Sequence, residues 1–131
     1  MAHSDGSAWS QVIPILEKAG HRVIAVQLPE HSLSDDVSTV KRAIDLLNGS
    51  AILVGHSYGG MVISNAAYNN HNVKGLVFIA ALALQEGQSY SDIIDVKKFP
   101  KDLFIVDSGG FVYLNSTKFH DTFAHDVNLT R

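Results

Sequence analysis

An α/β architecture of parallel βα units is what this sequence predicts, on three observations. Short apolar or β-branched runs alternate with amphipathic segments of helical period. Two of those runs, Ala51 to Val54 and Val73 to Ala81, lack the one-residue alternation of a half-solvated sheet and read as parallel strands buried on both faces. With 131 residues, 46% of them apolar and 18% charged, the chain has room for one compact core and little more.

In chain order, Ser10 to Ala19 places Val12, Ile13, Leu16 and Ala19 on one helical face, and Gly20 is positioned to end that helix. Pro14 is compatible with it if Ser10 is the N-cap, because the first turn has no use for the missing N–H. His21 to Leu28 is β-branched, bounded by Gly20 and Pro29, and is expected to be a strand. A loop follows, and Ser34 is expected to cap a second helix carrying Val37, Val40, Ile44 and Leu47, ended by Asn48-Gly49. Ala51 to Val54 is the next strand, Gly59 to Tyr68 a helix that opens on small residues, and Val73 to Ala81 a further strand. From residue 85 the chain turns polar and mixed, with an amphipathic piece at Thr117 to Val127 in which Phe119, Phe123 and Val127 fall four apart.

Ten Lys and Arg against thirteen Asp and Glu leave a formal charge of −3 and no basic stripe, so nucleic acid is not an expected partner. The opening residues lack the basic start and apolar stretch of a secretory signal. The longest apolar run, Leu76 to Leu84, is far short of the ~20 residues that span a bilayer, so a soluble, cytoplasmic chain with no membrane partner is expected. No cysteine is present, which removes disulfides, thiolate metal sites and thiol nucleophiles together. The histidines show no HExxH spacing, and no metal site is expected.

The residues that carry chemistry are Ala51-Ile52-Leu53-Val54-Gly55-His56-Ser57-Tyr58-Gly59-Gly60: an apolar strand, GxSxG, then a helix. A serine hydroxyl is a weak nucleophile unless it is exposed to a base and its attack builds charge beside hydrogen-bond donors. A sharp strand-to-helix turn meets both needs, leaving Ser57 at the tip with the Tyr58 N–H and the helix N-terminus aimed at a developing oxyanion. Side chains at Gly55 and Gly59 are expected to collide across so tight a turn, and His56 belongs to the same elbow. The alternative reading of Ser57 is an inert turn residue between ordinary turn glycines.

On these residues the sequence resembles the α/β-hydrolase superfamily, and within it bacterial members similar to plant methylesterases and hydroxynitrile lyases. The resemblance also runs through Asp5-Gly6-Ser7-Ala8-Trp9-Ser10, Val12 to Leu16, Ala19 to Val23, Leu28-Pro29 and Val77 to Ala81. Gly110 to Leu114 with Phe119-His120 is similar to the start of that group's cap. The resemblance implies a partial α/β-hydrolase fold with a nucleophile elbow, an incomplete core over 1–84 and a partial cap or lid region over 85–131. It further implies Ser57 as nucleophile, Tyr58 as backbone oxyanion donor, no metal and no organic cofactor, and a small ester-like substrate.

In such enzymes an apolar strand ending in His-Gly opens the fold and leads to the second oxyanion donor. Here that position falls near Ala2 or His3, and the strand itself is expected to be missing. Its usual place lies between the strands at 21–28 and 51–54, so its loss predicts a gap of about 10 Å at the ~4.8 Å strand spacing. The acid and histidine of the triad are likewise expected to be missing, and the chain to be truncated at both ends. Lys101 to Val106 followed by Asp107, with His120 or His125 downstream, is the nearest imitation of a late acid and base. Asp107 reads instead as the first residue of a turn and the two histidines as helix-surface residues. Trp9, Phe111, Tyr113, Phe119 and Phe123 read as core or cap packing, with a substrate-pocket lining as the alternative. The rivals to a serine hydrolase are a non-catalytic fragment or split partner, and an interaction module forming a homo-oligomer, or accepting a complementing chain, through unpaired strand edges.

Overall fold

The structure, a computed structural model, describes residues 6–83, 99–100, 102–109, 112–123 and 125. These fall into two compact units that divide between residues 88 and 89, where the chain's length alone predicts one core.

The first unit opens with a 3-10 turn, Gly6–Trp9, and a string of turns leading to α1, Ile13–Lys18. Pro14 does sit in the first turn, but Val12 rather than Ser10 is the N-cap, and no side chain caps it. Ser10 is drawn into the preceding turns, its N–H donating to the Ser7 carbonyl at 3.0 Å. Gly20 ends the helix as expected, at φ +90°. The Gly20 N–H reaches the Glu17 carbonyl and the His21 N–H the Leu16 carbonyl, closing a Schellman motif.

His21 to Leu28 departs from expectation: the segment forms no strand ladder with any described residue. Side chains hold it instead, Val26 and Leu28 packing half-buried against the core. A β-propensity run becomes a strand only where a neighbour supplies ladder hydrogen bonds, and no described residue supplies them to 21–28.

Helix α2, Leu33–Leu47, begins two residues earlier than predicted. Ser32 is its N-cap, accepting from the Asp35 N–H at 3.1 Å, so Ser34 lies inside the helix. Asp35 and Asp36 in the first turn suit the positive end of the helix dipole, and Asn48 closes the helix in the left-handed region at φ +50°. Strand β1, Ala51–His56, runs parallel to β2, Val73–Ile79, with Leu53 opposite Leu76 and His56 opposite Ile79. Helix α3, Gly59–Ala67, is the crossover between them.

The core is Val40 and Ile44 of α2, Ala51 and Leu53 of β1, and Val62, Ile63 and Ala66 of α3. It therefore lies on one face of the two-stranded sheet. The prediction that both strands are buried on both faces is corrected: β1 alternates strictly, and β2 is half-buried to exposed throughout. On the open face Ile52, Val54, Val77 and Ile79 are 66%, 41%, 43% and 44% exposed. Burial on both faces requires a layer on each, and the core-forming helices α2 and α3 supply one.

In the second unit β3, Phe104–Val106, pairs antiparallel with β4, Val112–Leu114, and α4, Ser116–Phe123, follows. Asp107 begins the turn as read, its Oδ1 accepting from the Gly109 N–H at 2.8 Å. Asn115 organises the start of α4: its Oδ1 accepts from the Thr117 N–H while its Nδ2 donates to the Asp102 carbonyl. Leu103 is fully buried. The tail thus holds more strand than predicted, in a hairpin. Among the described residues no helix is long and apolar enough to cross a membrane.

Candidate active site

Strand β1 ends at His56, and the chain reverses at Ser57 before α3 starts at Gly59. Ser57 has φ +52°, a left-handed conformation that a non-glycine residue adopts at a cost of about 1–3 kcal/mol. Neighbours fix it there. The Ser57 N–H donates to the Ile79 carbonyl at 3.3 Å, carrying the β1–β2 pairing one residue past the strand. Its carbonyl accepts from the Gly60 N–H at 3.1 Å and from the Leu82 N–H at 3.4 Å. Both backbone groups of the strained residue are therefore engaged, while its side chain is exposed and makes no hydrogen bond among the described residues.

The glycines divide differently from the prediction. A Cβ on Gly55 would lie 2.6 Å from the Gly59 carbonyl oxygen and 2.9 Å from the Gly60 nitrogen, so any side chain there collides with backbone. A Cβ on Gly59 would meet nothing within 4 Å, which corrects the expectation of a clash at that position. The steric demand falls on Gly60 instead, where a Cβ would be 2.6 Å from the Leu82 carbonyl oxygen and 2.9 Å from the Ala81 Cβ. Helix α3 enters the elbow against the 81–82 backbone, so the residue facing that backbone must be the small one.

Tyr58 is the N-cap of α3 without a side-chain cap, and its N–H has no acceptor among the described residues. Its side chain turns toward α2, where the hydroxyl donates to Asp36 Oδ2 at 2.8 Å. Burial, that hydrogen bond and the charges of Asp36 and Glu30 all push the phenol above its ordinary value, so it stays protonated. His56 is exposed at the end of β1. Ala2 and His3 lie outside the described residues, as does Phe111. No described histidine hydrogen-bonds the Ser57 hydroxyl. In the second unit, His120 Nδ1 lies 3.2 Å from Asp121 Oδ1 and His125 is exposed.

Two residues of this neighbourhood escaped the sequence reading. Gly60 was legible only as part of a Gly-Gly helix start. Asp36, fully buried, was not singled out at all. Its signal was its spacing: Asp36, Val40 and Ile44 fall four apart, which puts a carboxylate on the apolar stripe.

Comparison with known proteins bears on the fold and the family. A crystal structure of a PytH variant superposes with a TM-score of 0.75 at 23% identity, covering 93% of this chain and 57% of that one, a likeness of fold. A carbendazim hydrolyzing esterase of a Nocardioides species is 30% identical over 119 residues, 81% of this chain and 49% of that protein. An alpha-hydroxynitrile lyase of Arabidopsis thaliana is 36% identical over 101 residues, 66% of this chain and 39% of that protein. The chain thus spans about half or less of the length of these curated relatives. The family model described as alpha/beta hydrolase matches residues 1–128, nearly the whole chain. Strand, left-handed serine and glycine-started helix stand where that match runs, and the chain belongs to the alpha/beta hydrolase family.

Proposed function

We propose that this chain carries the nucleophile part of a serine hydrolase acting on ester bonds. The observation that supports it best is Ser57 itself: a strained, exposed serine whose backbone is held on both sides, with the unengaged Tyr58 N–H next to it. In this reading the Ser57 Oγ attacks the acyl carbon, its proton passes to a base, and the Tyr58 N–H donates to the oxyanion. The alcohol leaves, and water hydrolyses the acyl-enzyme. Ala2 or His3 belongs to the second donor in the same reading, and the histidine and acid of the triad are assigned to no residue of this chain. Hydrolysis is preferred to lyase chemistry because a relative covering most of this chain is named an esterase. Fold alone does not separate the two reactions. A cytoplasmic location belongs to the same proposal.

The test is a fluorophosphonate probe applied to the purified chain and to Ser57→Ala, with covalent labelling read by intact mass. Stoichiometric labelling that Ser57→Ala abolishes supports the proposal and shows that a base reaches Ser57 in this chain or its oligomer, against the expectation of a missing acid and histidine. A cooperatively folded chain that takes no label overturns the proposal for these residues, since without its base such a site keeps only a small residue of its rate.

A second reading is favoured by the open sheet face of Ile52, Val54, Val77 and Ile79 and by the unladdered 21–28 segment. It makes the chain a module that pairs with a second copy or a complementing chain. Sedimentation velocity over a concentration series decides it: a monomer at every concentration excludes the homo-oligomer.

A further inference from the structure

Asp36 stands in the first turn of α2, fully buried, on the stripe it shares with Val40 and Ile44. A carboxylate there is tolerated only if its oxygens are satisfied, because burial without partners costs several kcal/mol. Its oxygens divide the task. Oδ1 accepts from the Glu30 N–H at 2.8 Å, and Glu30 is itself in the left-handed region at φ +57°. Oδ2 accepts from the Tyr58 hydroxyl at 2.8 Å. One side chain therefore ties a strained loop, the start of α2 and the residue after Ser57.

The tie to Tyr58 matters most. Tyr58 carries the unengaged N–H beside the strained serine, and it begins α3 with no side-chain cap to set its attitude. Its ring is the lever through which the neighbouring helix can set that attitude, and the ring's far end is held by Asp36. We propose that Asp36 is a positioning residue for the elbow, orienting the Tyr58 N–H toward the oxyanion through the Tyr58 hydroxyl. The inference rests on the hydrolase reading above, in which that N–H lines the oxyanion hole.

Two variants test it. Tyr58→Phe removes the hydroxyl and leaves the backbone donor in place. Asp36→Asn removes the charge and keeps an oxygen for the Glu30 N–H. Thermal melting establishes that each is folded at the assay temperature. The expected result is a phosphonylation rate at Ser57 that falls about ten- to a hundredfold in each, the range in which a misplaced catalytic group acts. The double variant should lose little beyond Tyr58→Phe alone, because both changes act on the one contact, which Tyr58→Phe removes outright and Asp36→Asn leaves with only an amide donor in place of the carboxylate acceptor. The ³¹P resonance of the Ser57 adduct should shift in both, since it reports the donors around the phosphonyl oxygen. Variants that melt earlier but label at the wild-type rate, with an unshifted resonance, would make the bond merely structural and overturn the proposal.

Backbone amide spectra of the unlabelled protein separate this outcome from failure of the hydrolase reading. If the wild type takes no label, the hydrolase reading fails by itself. Unmoved Ser57, Tyr58 and Gly59 amides in Asp36→Asn then also remove the positioning role, whereas shifted ones retain Asp36 as what orients the elbow. Should Asp36→Asn not fold, Tyr58→Phe carries the test through its labelling rate and the Ser57 and Gly59 amides.

Discussion

Gly55 and Gly60 are held to zero side-chain volume by backbone atoms, which cannot move aside as the end of a flexible side chain can. Gly59, between them, is not. Gly55→Ala and Gly60→Ala are therefore expected to lower stability by about 1–3 kcal/mol or more, the range for overpacking a tight site. Gly59→Ala, in the first turn of a helix with open space around its Cβ, is expected to be neutral or to stabilise by up to about 1 kcal/mol. Urea unfolding of the three variants checks this, and a Gly59→Ala loss equal to that of Gly55→Ala would contradict it. The comparison separates two reasons for glycine that a five-letter motif cannot distinguish. The pattern counts Gly55 and Gly59 alike and omits Gly60, whose space is closed by residues 81 and 82, over twenty positions away.

At the scale of elements, the helical period located α2, and the cap was misread by two residues. Ser32 and Ser34 are chemically equal candidates, but only Ser32 has an acid three residues on: its Oγ accepts from the Asp35 N–H and donates to the Asp35 carboxylate. The residue three after Ser34 is Val37, which can return nothing. Ser32→Ala should therefore cost about 1 kcal/mol and Ser34→Ala close to none, measured by the shift in unfolding midpoint. Equal effects would place the helix start elsewhere. Prediction at α1 failed for a related reason, since the turns from Gly6 onward claim Ser10 before the helix begins.

For the molecule as a whole, His21 to Leu28 has the composition of a strand and lacks a ladder partner among the described residues. Its amides should consequently exchange with solvent far faster than those of β1, whose hydrogen bonds to β2 lie beside the core. Hydrogen exchange read residue by residue checks this. Protection at 23–28 matching that of 52–55 would show that a ladder forms there in solution. The apolar runs at 51–54 and 73–81 were read as buried on both faces because hydrophobicity records what a strand can bury, and nothing local tells whether a layer lies on each side. In the structure one face of the sheet is packed by α2 and α3, and the other keeps Ile52 and Val54 in contact with solvent.

The strand expected at His21 to Leu28 was not formed, whereas the type of α1, α2, β1, α3 and β2, the left-handed ends at Gly20 and Asn48, and the strand-serine-helix turn were legible along the chain. Each depends on interactions within about five residues, which periodicity and turn chemistry report directly. Tertiary structure decided which strands pair, which face of them is buried, which glycine is sterically obligatory, and that the Asp36 carboxylate meets the Tyr58 hydroxyl 22 positions on. Those outcomes depend on groups that approach only after the chain has folded back on itself, and one-dimensional spacing carries no record of that approach.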